Sequence, residues 1–247
     1  MESWNLAGRF KRQSLNGGLA VVATVDVIVG PDGKARCGWV DATNRSSAQY
    51  HDEVWGTRTY DPSAMFEALT LGVFEVGLSW SIVFGKREAF RKAFRGFDVA
   101  EVAAMNGQDV DTLVQDSSII RNRGKIQATV DNARAMMSAS PSLPALARSY
   151  EVNRKRAPRS IADLPNSTPQ AEALARELKS QGYRFVGPTS VYAFMQNVGV
   201  VNDHIHGCFR ATDYRLATTA GSKHGDEHVA HGQSHSDLLP GGQARGH

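Results

Sequence analysis

Two cysteine and histidine pairs near opposite ends of the chain constrain its fold. Cys37 and His51 lie near the start, His204 and Cys208 lie near the end, and the sequence contains 2 cysteines in all. Two thiolates and two imidazoles form a complete tetrahedral ligand set for zinc. The spacing of His204 and Cys208 allows both to lie on one face of a helix or tight turn. A structural zinc would join the two ends of the domain, whereas the alternative is a disulfide or two buried thiols.

Composition leaves the class of partner open. A chain of 247 residues with 41% hydrophobic content can bury one full core, and its net charge of +3 says little about nucleic acid. No apolar run approaches the length of a membrane span. Since both cysteines can be assigned as metal ligands, that assignment leaves no disulfide framework, which agrees with a reducing cytoplasm. We therefore expect a cytoplasmic monomer that does not bind membranes.

The composition changes along the chain divide it into three segments. Residues 1–35 read as an N-terminal extension, with a short β-like segment or a mobile arm over Val21–Val29 and a turn over Pro31–Gly33. Residues 213–247 are rich in Gly, Ser, Asp and His, and this composition predicts a disordered tail. The folded domain is therefore expected over residues 36–212.

Helix signals fill this domain, and strand signals are nearly absent. Asp61 followed by Pro62 is a helix start, because a carboxylate caps and proline suits the first helical position. Thr168 followed by Pro169 starts another helix in the same way. Gly107 is expected to end a short helix that begins after Asp98. These patterns predict an all-α domain.

Several motifs occur in a family-specific order between Cys37 and Cys208. They are Cys37-Gly-Trp39, Tyr50-His51-Asp52, Glu53-Val54-Trp55-Gly56, Gly77-Leu78-Ser79-Trp80, Ile120-Arg121-Asn122-Arg123-Gly124-Lys125-Ile126 and Val201-Asn202-Asp203-His204. In this order the chain resembles the bacterial DNA-3-methyladenine glycosylase I family. The resemblance implies a helix-hairpin-helix glycosylase with a structural zinc on Cys37, His51, His204 and Cys208. It also implies a base-excision repair enzyme that flips 3-methyladenine out of double-stranded DNA and hydrolyses its N-glycosidic bond.

The same resemblance assigns a base pocket to three aromatic residues, which are Trp39, Tyr50 and Trp80. An adenine alkylated on N3 is cationic, so its glycosidic bond is already weak and its recognition favours π faces. The alternative is that all three are ordinary core aromatics.

One position departs from the family. Members usually have a glutamate contacting the flipped base where this chain has Gly72, and Ser47 replaces a second frequent pocket tyrosine. Glu75 lies about one helical turn further on, so it either supplies the carboxylate from a new direction or is a solvated charge. Two alternative functions follow. The chain could excise a bulkier alkyl-purine adduct, or it could recognise damaged DNA without catalysis.

The segment around residue 122 matches the hairpin of the family. Gly124 permits close backbone approach, and exposed amides at the start of the following helix attract phosphate. Three basic residues strengthen this site, and they are Arg121, Arg123 and Lys125. We predict that this hairpin clamps DNA phosphates, although a solvated charged face is the alternative.

Overall fold

The protein is a helix-rich body with a β-hairpin at its N-terminal side. A computed structural model describes residues 26–214 other than Ser79, Asn153 and Lys155, and gives the backbone alone for 212–214. The α-helices of these residues are α1 Arg45–Gln49, α2 Pro62–Glu75, α3 Trp80–Phe84, α4 Arg87–Ala93, α5 Val99–Ala103, α6 Gly107–Gln115, α7 Arg123–Ser138, α8 Leu143–Ser149, α9 Pro169–Ser180 and α10 Pro188–Asn197. Shorter helical turns are Tyr50–Val54, Arg95–Phe97, Ile161–Asp163 and Phe209–Tyr214. Within this described part, no helix is long and apolar enough to cross a membrane.

Local capping explains where the main helices begin. The Asp61 carboxylate accepts a hydrogen bond from the Ala64 amide at 2.8 Å, and Pro62 is the first residue of α2. The Thr168 hydroxyl accepts from the Ala171 amide at 3.2 Å at the start of α9. Both predicted helix starts are confirmed.

Gly107 starts a helix in the structure, whereas the sequence predicted that it ends one. The Asn106 side chain accepts from the Gln108 amide at 2.8 Å, and Asp109 bonds back to the Asn106 amide. This capping box starts α6, so Gly107 is the first residue of a helix rather than the end of the preceding one.

The boundary predicted at residue 36 falls inside a β-hairpin. Strand β1, Val27–Val29, pairs antiparallel with β2, Ala35–Cys37, and Gly33 makes the predicted turn with a φ of 76°. The Asp26 carboxylate also accepts from the Ile161 amide at 2.8 Å. Residues 26–35 therefore belong to the folded body, and the prediction of a separate extension is wrong for them. The rest of that extension, and the predicted tail beyond residue 214, lie outside the described residues.

Helix α2 is the centre of the core. It packs against α10, α7 and α8, and its buried side chains include Met65, Phe66 and Phe74. The Phe74 ring contacts the Phe90 ring of α4 at a centroid distance of 4.6 Å. Because the C-terminal end of α2 reaches the surface beside α10, it can contribute side chains to a cavity there.

Helices α6 and α7 flank the segment predicted to be the hairpin. The two helices contact each other, and residues 116–122 connect them. The Asn122 side chain accepts from the Lys125 amide at 3.1 Å and so starts α7 at Arg123. Arg123 and Lys125 of the predicted hairpin segment therefore lie in the first turn of this helix.

Candidate active site and metal centre

Cys37, His51, His204 and Cys208 converge on one buried point. Their ligand atoms all lie within 4.8 Å of one another. The Sγ of Cys208 is 3.4 Å from His51 Nε2 and 3.6 Å from His204 Nδ1, and the Sγ of Cys37 is also 3.6 Å from His204 Nδ1. Tetrahedral zinc with ordinary Zn–S and Zn–N bonds requires sulfur and nitrogen to be about 3.6 Å apart. The residues therefore fit a four-coordinate metal site.

Neighbouring groups hold the side chains of this cluster in position. His51 Nδ1 lies 2.9 Å from the Asp52 carboxylate, and His204 Nε2 lies 3.2 Å from the backbone oxygen of Trp55. These contacts turn the other ring nitrogen of each histidine toward the metal position. The Ile205 amide donates to the Cys37 sulfur at 3.4 Å, in the way that amides stabilise a thiolate.

The surroundings of the cluster also shift the pKa values of its thiols and of one imidazole. A hydrogen bond from the Cys37 thiol, together with contacts to His204 and His51, lowers the pKa of the Cys208 thiol. The same hydrogen bond and burial raise the pKa of Cys37. Burial lowers the pKa of His204, which favours the neutral imidazole that binds a metal. Both cysteines are free, so the disulfide that the sequence left open as an alternative is not formed.

A cavity of about 200 Å³ lies beside the C-terminal end of α2. Its walls come from α2, from α10 and from Asn166 in the segment before α9. Gly72 and Glu75 both line it, which places the two residues that depart from the family pattern on one wall. A Cβ added at Gly72 would meet the backbone oxygen of Ser190 at 3.5 Å, an ordinary contact distance. The absent side chain therefore widens this cavity.

Glu75 has an unusual environment. Its Oε2 oxygen is buried and has no hydrogen-bond partner among the described residues. Burial raises its pKa to about 7, because water no longer solvates the charged form. Glu75 is therefore not the solvated charge that the sequence left as an alternative. Its carboxyl group is available to a ligand in the cavity.

The three predicted pocket aromatics belong to one cluster but do not line this cavity. Tyr50 and Trp80 contact each other with ring centroids 5.0 Å apart, and Trp39 packs against Trp55 at 5.1 Å. Tyr50 is buried and lines a second cavity of about 230 Å³, where its hydroxyl donates to Asn197 Oδ1 at 2.7 Å. Trp39 and Trp80 are half-buried, so each keeps some ring surface toward solvent.

The predicted DNA-binding residues separate into two groups. Arg121, Arg123 and Gly124 are exposed, and the Arg123 guanidinium pairs with the Asp111 carboxylate on α6. Lys125 is buried, and its ammonium donates to the backbone oxygens of Phe74 and Val76 at the end of α2. The prediction that Lys125 adds charge to the DNA-facing surface is therefore wrong. Its charge instead stabilises the C-terminal end of the α2 dipole.

Comparison with known proteins agrees with this geometry. Residues 39–211 match the family described as methyladenine glycosylase. The chain belongs to the methyladenine glycosylase family. It is 42% identical to the DNA-3-methyladenine glycosylase 1 of Escherichia coli K12 over 178 residues, which are 70% of this chain and 95% of that enzyme. The family prediction made from the motifs is thereby confirmed.

Solved structures of methyladenine glycosylases share the fold. A crystal structure of 3-methyladenine DNA glycosylase I has a TM-score of 0.66 and 42% identity, and covers 70% of this chain and 98% of its own. The Staphylococcus aureus 3-methyladenine DNA glycosylase I, solved to show how it recognises 3-methyladenine, has a TM-score of 0.64 and 31% identity. That match covers 68% of this chain and 92% of the other.

Sequence reasoning about this methyladenine glycosylase missed a buried polar network at the cavity. Asp203 pairs with Arg154, with Nε 3.0 Å from Oδ1, and accepts from Gln196 Nε2 at 2.7 Å. The Tyr192 hydroxyl also donates to Asp203. Asp203 stands in a family motif that was interpreted only for its metal-binding neighbour, and Gln196 lies in an otherwise apolar helix.

Proposed function

We propose that this methyladenine glycosylase removes 3-methyladenine from double-stranded DNA by hydrolysing its N-glycosidic bond. Several features support this function: family membership, near-complete coverage of the E. coli enzyme and a site suited to a cationic base. The observation that carries the proposal is the buried, unpartnered Glu75 oxygen at a cavity open beside α2. A carboxylate in such a place attracts a positively charged base far more strongly than it would in water.

Glu75 is proposed to act on the charge of the base. N3-alkylation makes adenine cationic, and an adjacent cation favours the ionised form of a carboxyl group. Binding of the base should therefore lower the Glu75 pKa below the value of about 7 that it has in the protein without a ligand. The ionised group then holds the base in the cavity. As the bond to the sugar breaks, the positive charge passes to the sugar and a water molecule attacks the sugar carbon. No strong general base is required, because the leaving group is already activated.

The aromatic cluster is proposed to bind the face of the base. Tyr50 and Trp80 contact each other, so a base cannot lie between them in this arrangement. Trp80 is the first residue of α3 and follows Glu75 closely in the sequence. Its ring is half-buried, so part of it remains open for stacking. The proposal therefore puts the flipped base against Trp80, with Trp39 and Tyr50 supporting the cluster.

The α6 and α7 pair is proposed to be the helix-hairpin-helix that binds DNA. Gly124 is exposed near the start of α7, where amide groups and the helix dipole favour a phosphate. Arg121 and Arg123 lie on the same exposed segment and would add salt-dependent affinity. These contacts hold the duplex without reading its sequence.

The Cys37, His51, His204 and Cys208 cluster is proposed to bind structural zinc. Four protein ligands close the coordination sphere, so zinc would supply fold stability rather than a site for water. It would join the β-hairpin and the π-helical turn Tyr50–Val54 to the segment around residue 204. Free thiols used in this way suit a reducing cytoplasm, and we expect the protein to act there as a monomer.

Release of free base tests the proposal directly. Duplex DNA methylated at adenine N3 is incubated with the purified full chain, and the released base is separated and identified by chromatography. We expect free 3-methyladenine to accumulate. Tight binding to the methylated duplex without any released base would instead establish a non-catalytic damage-recognising protein.

A bulkier alkyl-purine adduct is a second candidate substrate, and Gly72 favours it. Without a side chain at this position, the cavity between α2 and α10 is wider than it would be with the glutamate usual in the family. The same release assay on DNA that carries N3-ethyl or larger adducts decides between the two. Faster release of the larger adduct by the unmodified protein, reversed by Gly72→Leu, would favour the bulkier substrate.

A further inference from the structure

We infer that Gln196 is a specificity-determining residue that accepts a hydrogen bond from the exocyclic amino group of the flipped base. The inference rests on the proposed function and deepens it, because it names the chemical feature by which substrates are selected. It begins with the buried Asp203 carboxylate, which bonds to a side chain that lines the cavity.

Asp203 is held by an ion pair at one oxygen and by a hydroxyl donor at the other. Arg154 Nε lies 3.0 Å from Oδ1, and the Tyr192 hydroxyl donates to Oδ2. Oδ2 therefore acts as a hydrogen-bond acceptor in this network. Any amide that bonds to Oδ2 must therefore present its NH2 group.

Gln196 is the amide in that position. Its Nε2 donates to Asp203 Oδ2 at 2.7 Å, so its Oε1 oxygen has to point the other way. The oxygen and nitrogen of a side-chain amide are nearly the same size. The hydrogen bond to Asp203 therefore decides which of the two atoms points toward it. Asp203 is in this sense a positioning residue for Gln196.

The Gln196 Oε1 oxygen lacks a hydrogen-bond partner in the part of the chain that the structure describes, although it is buried. Gln196 lines the same cavity as Glu75, whose Oε2 oxygen is likewise unpartnered. A buried unpaired acceptor is unfavourable, and two of them at one cavity indicate a ligand that brings donors.

An exocyclic amino group has two N–H bonds and fits this pair of acceptors. The 6-amino group of an alkylated adenine can donate to Gln196 and to Glu75, whereas a 6-oxo purine presents an acceptor oxygen at the same place. That oxygen would face the Gln196 Oε1 oxygen, which has no proton to donate. Sites built to bond a donor reject an analogue that lacks it by large factors. The cavity should therefore select alkyladenines over otherwise identical 6-oxo bases.

The experiment compares two free bases that differ at one position, 3-methyladenine and 3-methylhypoxanthine. Binding to the full zinc-loaded chain is measured by tryptophan fluorescence or calorimetry. We expect the unmodified protein to prefer 3-methyladenine, and Gln196→Met to weaken its binding about tenfold while binding of 3-methylhypoxanthine is unchanged or stronger. Gln181→Met is the matched control, since Gln181 lies at the end of α9 away from the cavity, and it should change neither affinity.

A second variant keeps the test informative if Gln196→Met fails to fold. In Asp203→Asn, the new side chain can keep its oxygen toward Arg154 and turn its NH2 toward Gln196. The Gln196 amide would then reverse and present donors to the cavity. The preference should shift toward 3-methylhypoxanthine, a change that simple destabilisation would not produce.

Three outcomes overturn the inference. One is equal binding of the two bases by the unmodified protein, and another is an equal loss for both bases in Gln196→Met. The third is binding of neither base. In the first two cases release of 3-methyladenine from methylated DNA would remain intact, so the inference would fail while the proposed function stands. In the third case, absence of release as well would reject both.

Discussion

The metal centre and the cavity beside α2 are both built from buried polar side chains, but they differ in how those side chains are satisfied. At the metal centre, His51, His204 and Cys37 each have a neighbouring partner in addition to the shared cluster. At the cavity, Glu75 and Gln196 each have an oxygen without a partner among the residues described. The first arrangement is complete in itself and suits a structural role. The second is completed only by a ligand, which is expected of a recognition site.

The largest effect should come from breaking the complete site. Cys37→Ser removes one ligand, and structural zinc in small domains contributes on the order of 10 kcal/mol to folding. We expect loss of stoichiometric zinc and a melting temperature lower by well over 10 °C, or no folded protein at 37 °C.

Metal analysis and thermal unfolding check this prediction. His206→Asn is the control, because His206 is exposed in the same segment and its ring is not among the converging ligands. Unchanged zinc content and melting temperature in Cys37→Ser would show that the cluster does not join the two ends of the domain through a metal.

The next largest effect should come from Glu75, whose buried carboxyl group, without a partner among the described residues, lowers the folding stability of the protein. Burial raises the Glu75 pKa from 4.5 to about 7. Below pH 4.5 the group is protonated in both folded and unfolded chains. As the pH rises from 4.5 to 7, the unfolded chain ionises first, so folding stability falls, and above pH 7 the loss is complete. The shift corresponds to a loss of up to about 3 kcal/mol.

Glu75→Gln should remove this pH-dependent loss. We expect the variant to be more stable than the unmodified protein by up to about 3 kcal/mol at pH 8, and the difference to shrink toward pH 4.5. Denaturant unfolding at several pH values measures it, and comparison at each pH cancels the acid sensitivity of the metal site. If the stability difference between the two proteins does not vary with pH, burial does not raise the Glu75 pKa. The cavity would then lack the unsatisfied carboxyl group that distinguishes it from the metal centre.

The smallest effect should arise outside both regions, at the hairpin. Arg123→Ala removes one exposed charge, and its phosphate contact would account for about one unit of the slope of log affinity against log salt. We expect weaker DNA binding at low salt with nearly unchanged affinity at high salt. Arg176→Ala on α9 is the control. An unchanged slope in Arg123→Ala, measured by fluorescence anisotropy, would remove this residue from the DNA contact.

Local signals made parts of both regions predictable. Asp61 caps α2 and Pro62 follows it, so neighbouring residues alone predicted where this helix starts. The same prediction placed Gly72 and Glu75 about one turn apart near its end. The four candidate metal ligands could be proposed because the sequence has 2 cysteines and each has a histidine near it.

Long-range contacts explain what the sequence did not predict. Lys125 stands in a basic motif, but its direction depends on the carbonyl groups at the end of α2, which are remote in the chain. The link from Arg154 through Asp203 to Gln196 likewise joins three separate segments. Side-chain direction in such cases depends on packing between elements, which residue spacing alone does not reveal.

The central claim is that Glu75 recognises the base, and single-turnover release of 3-methyladenine from methylated duplex DNA tests it most directly. Glu75→Gln keeps the size of the side chain and removes its charge, while Glu88→Gln makes the same change at an exposed position on α4. Removing one preorganised electrostatic contact typically slows a reaction by about a hundredfold or more. We predict a loss of that order in Glu75→Gln and an unchanged rate in Glu88→Gln, whereas equal rates for all three proteins would contradict the account.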